Sequence, residues 1–67
     1  MRNLEEYLKE LERSKKEKPE QVKDALEIYI GLWRKAISKG VVAPDDEIEK
    51  ALAKIDESGG LYKASED

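Results

Sequence analysis

The sequence predicts an all-α fold, a small three-helix bundle with a long central helix 2 and a short extended C-terminal tail. Three stretches of the chain repeat their apolar residues with the period of an α-helix. Both prolines and three of the four glycines lie between or after these stretches, where such residues begin or end helices. With 67 residues the chain has room for one domain, taken as residues 1–67.

Helix 1 is predicted over about residues 2–17. Its apolar side chains recur at i, i+3, i+4 and i+7 on one face, and they are Leu4, Tyr7, Leu8 and Leu11. Residues 12–18 contain no large apolar side chain, so the apolar face of this helix spans only two turns. A turn is expected just before Pro19, because proline disfavours helical geometry in the preceding residue and suits the start of a new helix.

Helix 2 is predicted over about residues 19–39, with Gly40 as its C-terminal left-handed residue. Its apolar side chains cover roughly 200° of the circumference, about twice the arc of an ordinary surface helix. They are Val22, Ala25, Leu26, Ile28, Tyr29, Ile30, Leu32, Trp33, Ala36 and Ile37. A helix this apolar needs two covering elements, or one covering element and a partner.

Helix 3 is predicted over about residues 45–58, with Asp46 and Glu49 forming a capping box and Gly59-Gly60 ending the helix. Its buried face is expected to consist of Ile48, Ala51, Leu52 and Ile55. The tail, residues 61–67, is expected to be extended, either folded back on the bundle or forming one short strand, with a frayed end from residue 64.

The lengths favour an up-down-up arrangement in which helices 1 and 3 both pack antiparallel to helix 2. Trp33 is expected at the centre, where both neighbours meet the middle of helix 2. Tyr7 and Tyr29 lie on the same apolar stripes, which indicates that these aromatic side chains belong to the core and do not line a ligand pocket.

The composition offers little material for catalysis. With no Cys and no His, disulfides and any site that needs a thiolate or an imidazole are excluded. The serines have no base at a recognisable spacing, so no enzyme activity, cofactor, metal or small-molecule substrate is expected. The acidic cluster of Asp45, Asp46, Glu47 and Glu49 is interpreted as the start of a helix. No apolar run approaches a membrane span, and a cytoplasmic location without membrane contact is expected.

One stretch resembles a known family. Residues 45–55, followed by Gly59-Gly60-Leu61-Tyr62, look like the recognition helix and first wing strand of winged-helix domains. The resemblance covers residues 45–62 and implies a wing strand at Leu61 and Tyr62. Residues 45–57 carry six acidic residues against two lysines, a charge that DNA would repel, so the implied use of such a fold is protein contact.

The functional prediction is a small non-enzymatic protein-interaction module or regulatory subunit that uses an apolar face of helix 2. The expected partner-binding residues are Ala25, Ile28, Gly31 and Leu32. The partner is another copy of the chain, through Ile28 and Leu32, or a larger protein. Gly31 lies on the polar side of helix 2, where it is either simply tolerated or allows a partner backbone to approach closely.

The alternative is a small helix-turn-helix or winged-helix-like DNA-binding protein, which would use helices 2 and 3 and the basic turn between helices 1 and 2. That turn carries Arg13, Lys15, Lys16, Lys18 and Lys23. Acidic residues are interleaved with them, and the net charge of the chain is −3. Binding to nucleic acid at physiological salt is therefore not expected.

Overall fold

Four α-helices make up the structure, a computed structural model that describes residues 2–66. They are α1 (Leu4–Lys15), α2 (Glu20–Ser38), α3 (Ile48–Glu57) and α4 (Leu61–Ala64). The all-α fold is confirmed, and the described residues contain no β-strand beyond an isolated bridge between Asn3 and Glu47. Met1 and Asp67, the ends of the predicted domain and tail, lie outside the described residues.

The helices α1 and α2 pack antiparallel, as predicted. Glu5 near the start of α1 pairs with Arg34 near the end of α2, with 3.0 Å between Oε2 and Nη2. Lys15 at the end of α1 reaches Glu27, nearer the start of α2, with 3.3 Å between Nζ and Oε1. These pairs show the direction of the two helices relative to each other.

The third element of the bundle differs from the prediction. Helix α1 contacts α2 and α3, and α4 contacts α2 and α3, so the four helices close a ring. Helices α2 and α3 are described over their whole length, and no Cα atom of one lies within 8 Å of a Cα atom of the other. The predicted direct packing of helix 3 on helix 2 is wrong, because α4 occupies that position.

The core lies inside this ring and is centred on Trp33, whose side chain is 1% exposed. The buried apolar residues are Leu4, Leu8, Ile30, Trp33, Ala36, Val42, Ala51, Ile55 and Ala64. Leu52 was expected among them but is 48% exposed. It lies about 100° around α3 from Ala51, on a flank that α2 would have to cover and does not.

The N-terminus of α1 is capped by the connection between α2 and α3. The amides of Leu4 and Glu5 donate to the carbonyls of Asp46 and Pro44 at 2.8 Å and 2.9 Å. The amide of Glu6 donates to the Asn3 side-chain oxygen at 2.9 Å. The first amides of a helix have no partner within the helix, so this loop satisfies donors that α1 cannot satisfy itself.

Asp46 has a different role from the predicted capping box with Glu49. Glu47 precedes the first residue of α3, and it makes no capping hydrogen bond with its side chain. The Asp46 carboxylate instead accepts from the Ala43 amide at 3.0 Å and from Lys54 Nζ at 2.7 Å. It therefore ties the loop to α3, and α3 begins at Ile48, not near residue 45.

Acid is expected to weaken the fold through Asp46. The hydrogen bond from Lys54, followed by that from the Ala43 amide, holds the pKa of Asp46 below its ordinary 3.8. Because the folded-state pKa is the lower one, the stabilisation is complete above pH 3.8 and is lost as the pH falls through the folded-state value. In thermal melts from neutral pH into strong acid, the wild type should lose more stability than Asp46→Asn, and the two should converge. A constant difference across the range would contradict this.

The C-terminal segment is helical, so the predicted extended tail is wrong. Gly60 has φ of 110°, a value that favours glycine, and its amide donates to the Ile55 carbonyl at 3.0 Å. This turn sends α4 back onto the bundle. Ala64 and Ser65 are 4% and 5% exposed, so neither is frayed.

The helical α4 also corrects the winged-helix resemblance. Leu61 and Tyr62, the residues that match a first wing strand, are the first two residues of α4. Leu61 packs against the core, while Tyr62 points outward with 74% of its surface exposed. A single helical turn therefore places Leu61 against the core, and no wing strand is formed by these residues.

Candidate functional site

Of the four predicted partner-binding residues, Ile28 and Gly31 lie on the outer side of α2, and Ala25 and Leu32 lie on the adjoining flank. Ala25, Ile28 and Gly31 are exposed, and Leu32 is half-buried. Ile28 has 60% of its surface exposed, the largest value among the exposed aliphatic side chains. At 100° per residue, Ile28 and Gly31 lie about 140° and 160° from the buried Trp33. We call Ala25, Ile28, Gly31 and Leu32 the α2 strip.

The α2 strip is uncovered because the neighbouring helices are short or lie elsewhere. Helix α2 has 19 residues, whereas α4 has four and covers only part of one flank. The ion pairs of Arg34 and Glu27 hold α1 on the opposite flank. Val22, 41% exposed, lies nearer the N-terminus of α2, about 20° around the helix from Trp33 and therefore on the core-facing side. The longest helix thus leaves Ile28 and its neighbours in the α2 strip uncovered.

Neither the backbone conformation nor the surrounding atoms of the chain require a glycine at position 31. Its φ is not positive, and a Cβ built at this position would meet no atom within 4 Å. Glycine in a helix interior costs about 0.5–1 kcal/mol relative to alanine. The residue therefore weakens α2 without any compensating contact in the isolated chain.

Gly31→Ala is expected to stabilise the isolated chain by about 0.5–1 kcal/mol, because alanine has the higher helix propensity and open space surrounds the position. Thermal or urea unfolding of dilute protein measures this. A matched control is Gly60→Ala, where φ of 110° disfavours alanine and stability should fall. Loss of stability in Gly31→Ala would mean that the glycine is needed within the fold.

Two further exposed apolar side chains were not predicted. Leu52 on α3 lines a shallow depression with Ala53 and Gly60, and Tyr62 stands on α4. No sequence signal marks them as exposed, since Leu52 follows the helical period of the core face and Tyr62 belongs to the tail that is predicted to be extended. They lie on α3 and α4, apart from the residues of the α2 strip along the chain.

Trp33 lies in the core, and Tyr7 and Tyr29 pack against it, as expected. Tyr29 meets Trp33 edge to face, with ring centroids 6.4 Å apart and an interplanar angle of 88°. The hydroxyls of Tyr7 and Tyr29 are 3.3 Å apart. This hydrogen bond, together with partial burial, raises the pKa of Tyr7 to about 12, so the hydroxyl stays protonated at neutral pH. The pair joins α1 to α2.

The charged surface of α1 is a set of partly exposed ion pairs. Arg34 lies between Glu5 and Glu12, with Nη2 3.0 Å and 4.0 Å from their carboxylates. Its hydrogen bond lowers the pKa of Glu5 and raises that of Arg34. One depression of this surface is lined by Lys9, Glu12, Arg13, Lys15 and Lys16. Four of these five side chains are basic and only Glu12 is acidic, while Glu10 and Glu17 line the neighbouring depression.

The described residues bring together neither a cluster of acidic side chains nor the helix pair of the DNA-binding alternative. Within residues 2–66, no three acidic side chains come together in a group that would hold a metal ion. A helix-turn-helix reader needs two helices that pack on each other, and α4 separates α2 from α3.

No helix within residues 2–66 combines the length and the apolar character that a membrane crossing requires. Comparisons with protein-family models, with curated proteins and with solved structures find no match to this chain.

Proposed function

We propose that this chain is a small, non-enzymatic protein-interaction module or regulatory subunit that binds a protein partner through the α2 strip. The observation that carries the proposal is the exposure of Ile28, at 60%, in the middle of the longest helix. The opposite face of this helix contributes Ile30, Trp33 and Ala36 to the core. An exposed apolar patch with a polar rim typically marks a protein interface.

The spacing of the α2 strip suits binding by a helix. Ala25, Ile28 and Leu32 follow one another at i, i+3 and i+7, which is the pattern of anchor residues on a helix that lies in an apolar groove or against another helix. Full burial of Ile28 would contribute roughly 1.5–3 kcal/mol to a complex. Gly31 beside it leaves room for the backbone of the partner.

The test compares two variants that each replace an exposed aliphatic side chain with glutamate, one on α2 and one on α3. Ile28→Glu places a charge in the α2 strip, and Leu52→Glu places one on α3, where the side chain is exposed to a similar degree. Both should keep the circular dichroism and the melting temperature of the wild type to within a few degrees, because neither residue is buried. Wild type and both variants are then immobilised and exposed to extract of the source cells, and retained proteins are read by mass spectrometry.

A protein retained by the wild type and by Leu52→Glu, but lost from Ile28→Glu, is the expected result. Self-association in analytical ultracentrifugation that is lost in Ile28→Glu alone would support the proposal equally. The proposal fails if retention and association do not distinguish Ile28→Glu from the wild type, or if the wild type neither retains a protein nor associates with itself.

A further inference from the structure

The charges on the outer face of α2 are divided between its two halves. Asp24 lies one turn before Ile28, and Lys35 lies one turn after Gly31. The four residues are spaced by four, three and four positions, so they fall within an arc of about 60° opposite the core. This is the spacing of the seam between two helices packed side by side.

We propose that the outer face of α2, centred on Ile28 and Gly31 of the α2 strip, binds the same face of a second copy of this chain, with the two α2 helices antiparallel across a two-fold axis. The inference rests on the proposed function and adds the partner and the register. Asp24 precedes Ile28 by four residues and Lys35 follows Gly31 by four. An antiparallel register that sets Ile28 against the partner's Gly31 therefore also sets Asp24 against the partner's Lys35.

Charge complementarity selects this orientation. In the antiparallel pair the two-fold axis repeats each contact, so two opposite-charge pairs flank two Ile28–Gly31 contacts. A parallel pair would place Asp24 beside the partner's Asp24 and Lys35 beside the partner's Lys35, and such like-charge contacts suppress the wrong arrangement. The axis between Ile28 and Gly31 is thus the centre of a self-complementary surface.

Steric complementarity supports the same register. Gly31 presents no side chain, and the space around its Cα is empty within the chain. Ile28 is the most exposed aliphatic side chain of the surface and lies one turn away. Set against the partner's Gly31, it would fill the space that the missing side chain leaves and let the helix axes approach to the short end of the usual 8–10 Å.

The decisive test is a charge exchange measured by sedimentation over a range of concentrations up to millimolar. Asp24→Lys and Lys35→Glu should each weaken self-association roughly tenfold, because each turns two attractive pairs into repulsive ones. The double variant Asp24→Lys/Lys35→Glu should recover the wild-type association, since the pairs are restored with their signs exchanged. Asp56→Lys on α3 makes the same charge change away from the strip and should leave association unchanged.

Gly31→Ala provides an independent test, because it should make the fold more stable and the dimer weaker. The variant should melt at a higher temperature in dilute solution. Its dimer should be weaker, so that it dissociates at a higher protein concentration than the wild-type dimer. Equal or stronger dimerisation of Gly31→Ala would contradict the close approach at Gly31. Because the variant is expected to be better folded, a weaker dimer cannot be attributed to unfolding.

The outcomes separate this inference from the proposed function. A wild type that stays monomeric at millimolar concentration overturns the second copy as partner, and a protein retained through Ile28 would still support the interaction module. Association lost in Ile28→Glu but not restored by the double charge exchange overturns the register alone. Association that survives Ile28→Glu overturns this inference, and it overturns the proposed function as well if no retained protein is lost from that variant.

Discussion

Replacing Trp33 with alanine is expected to lower the free energy of unfolding by about 3–5 kcal/mol, the usual loss for a large aromatic residue in a core. Trp33 is 1% exposed and lies where the ring of four helices closes. A chain of this size has roughly 3–10 kcal/mol of stability in total, at about 0.05–0.15 kcal/mol per residue. The variant should therefore be largely unfolded or melt on the order of 15–30 °C lower in circular dichroism.

Two control variants test whether the loss of stability in Trp33→Ala comes from the buried ring. Trp33→Phe keeps most of the ring volume, and Nε1 donates to no protein acceptor within residues 2–66, so no such hydrogen bond is lost. Its destabilisation should be clearly smaller than that of Trp33→Ala. Ile28→Ala removes an exposed aliphatic side chain of the same helix and should stay within about 0.5–1 kcal/mol of the wild type. Similar melts for Trp33→Ala and Ile28→Ala would place the core elsewhere.

The three longer helices and the orientation of α2 are predictable from the sequence, because they follow from local periodicity. Each of these helices has ten or more residues and repeats its apolar residues over at least two turns, and the turn between the first two contains Pro19. The same arithmetic places Trp33 inward and Ile28 outward. The position of the α2 strip on the surface is therefore a property of one helix, and it does not depend on how the other helices pack.

The parts that could not be predicted depend on contacts between distant segments. A four-residue helix has no measurable period, so α4 reads as a tail until its packing is known. The exposure of Leu52 follows from that error, since the flank of α3 that faces α2 depends on what lies between them. Asp46 fits a local capping rule, but the loop instead caps α1, a segment about forty positions earlier in the chain.

Helix α4 is expected to be essential to the fold despite its length. Ala64→Asp would bring a carboxylate to a position that is 4% exposed, among the apolar residues of the core. A buried charge without a partner costs several kcal/mol, so the loss should be about 3–5 kcal/mol, unless α4 detaches and leaves the core open. Either response uncovers Trp33, which α4 helps to bury by lying between α2 and α3.

Trp33 reports both responses, because it is the single tryptophan of the chain. In Ala64→Asp its fluorescence should shift to longer wavelength together with a lowered melting temperature, since water then reaches the indole. Tyr62→Asp makes a similar change two residues away on the same helix, where the side chain is 74% exposed, and it should leave stability within about 0.5 kcal/mol of the wild type. If Ala64→Asp matches Tyr62→Asp in both measurements, α4 does not close the core, and the three-helix arrangement predicted from the sequence would account for the stability of the chain.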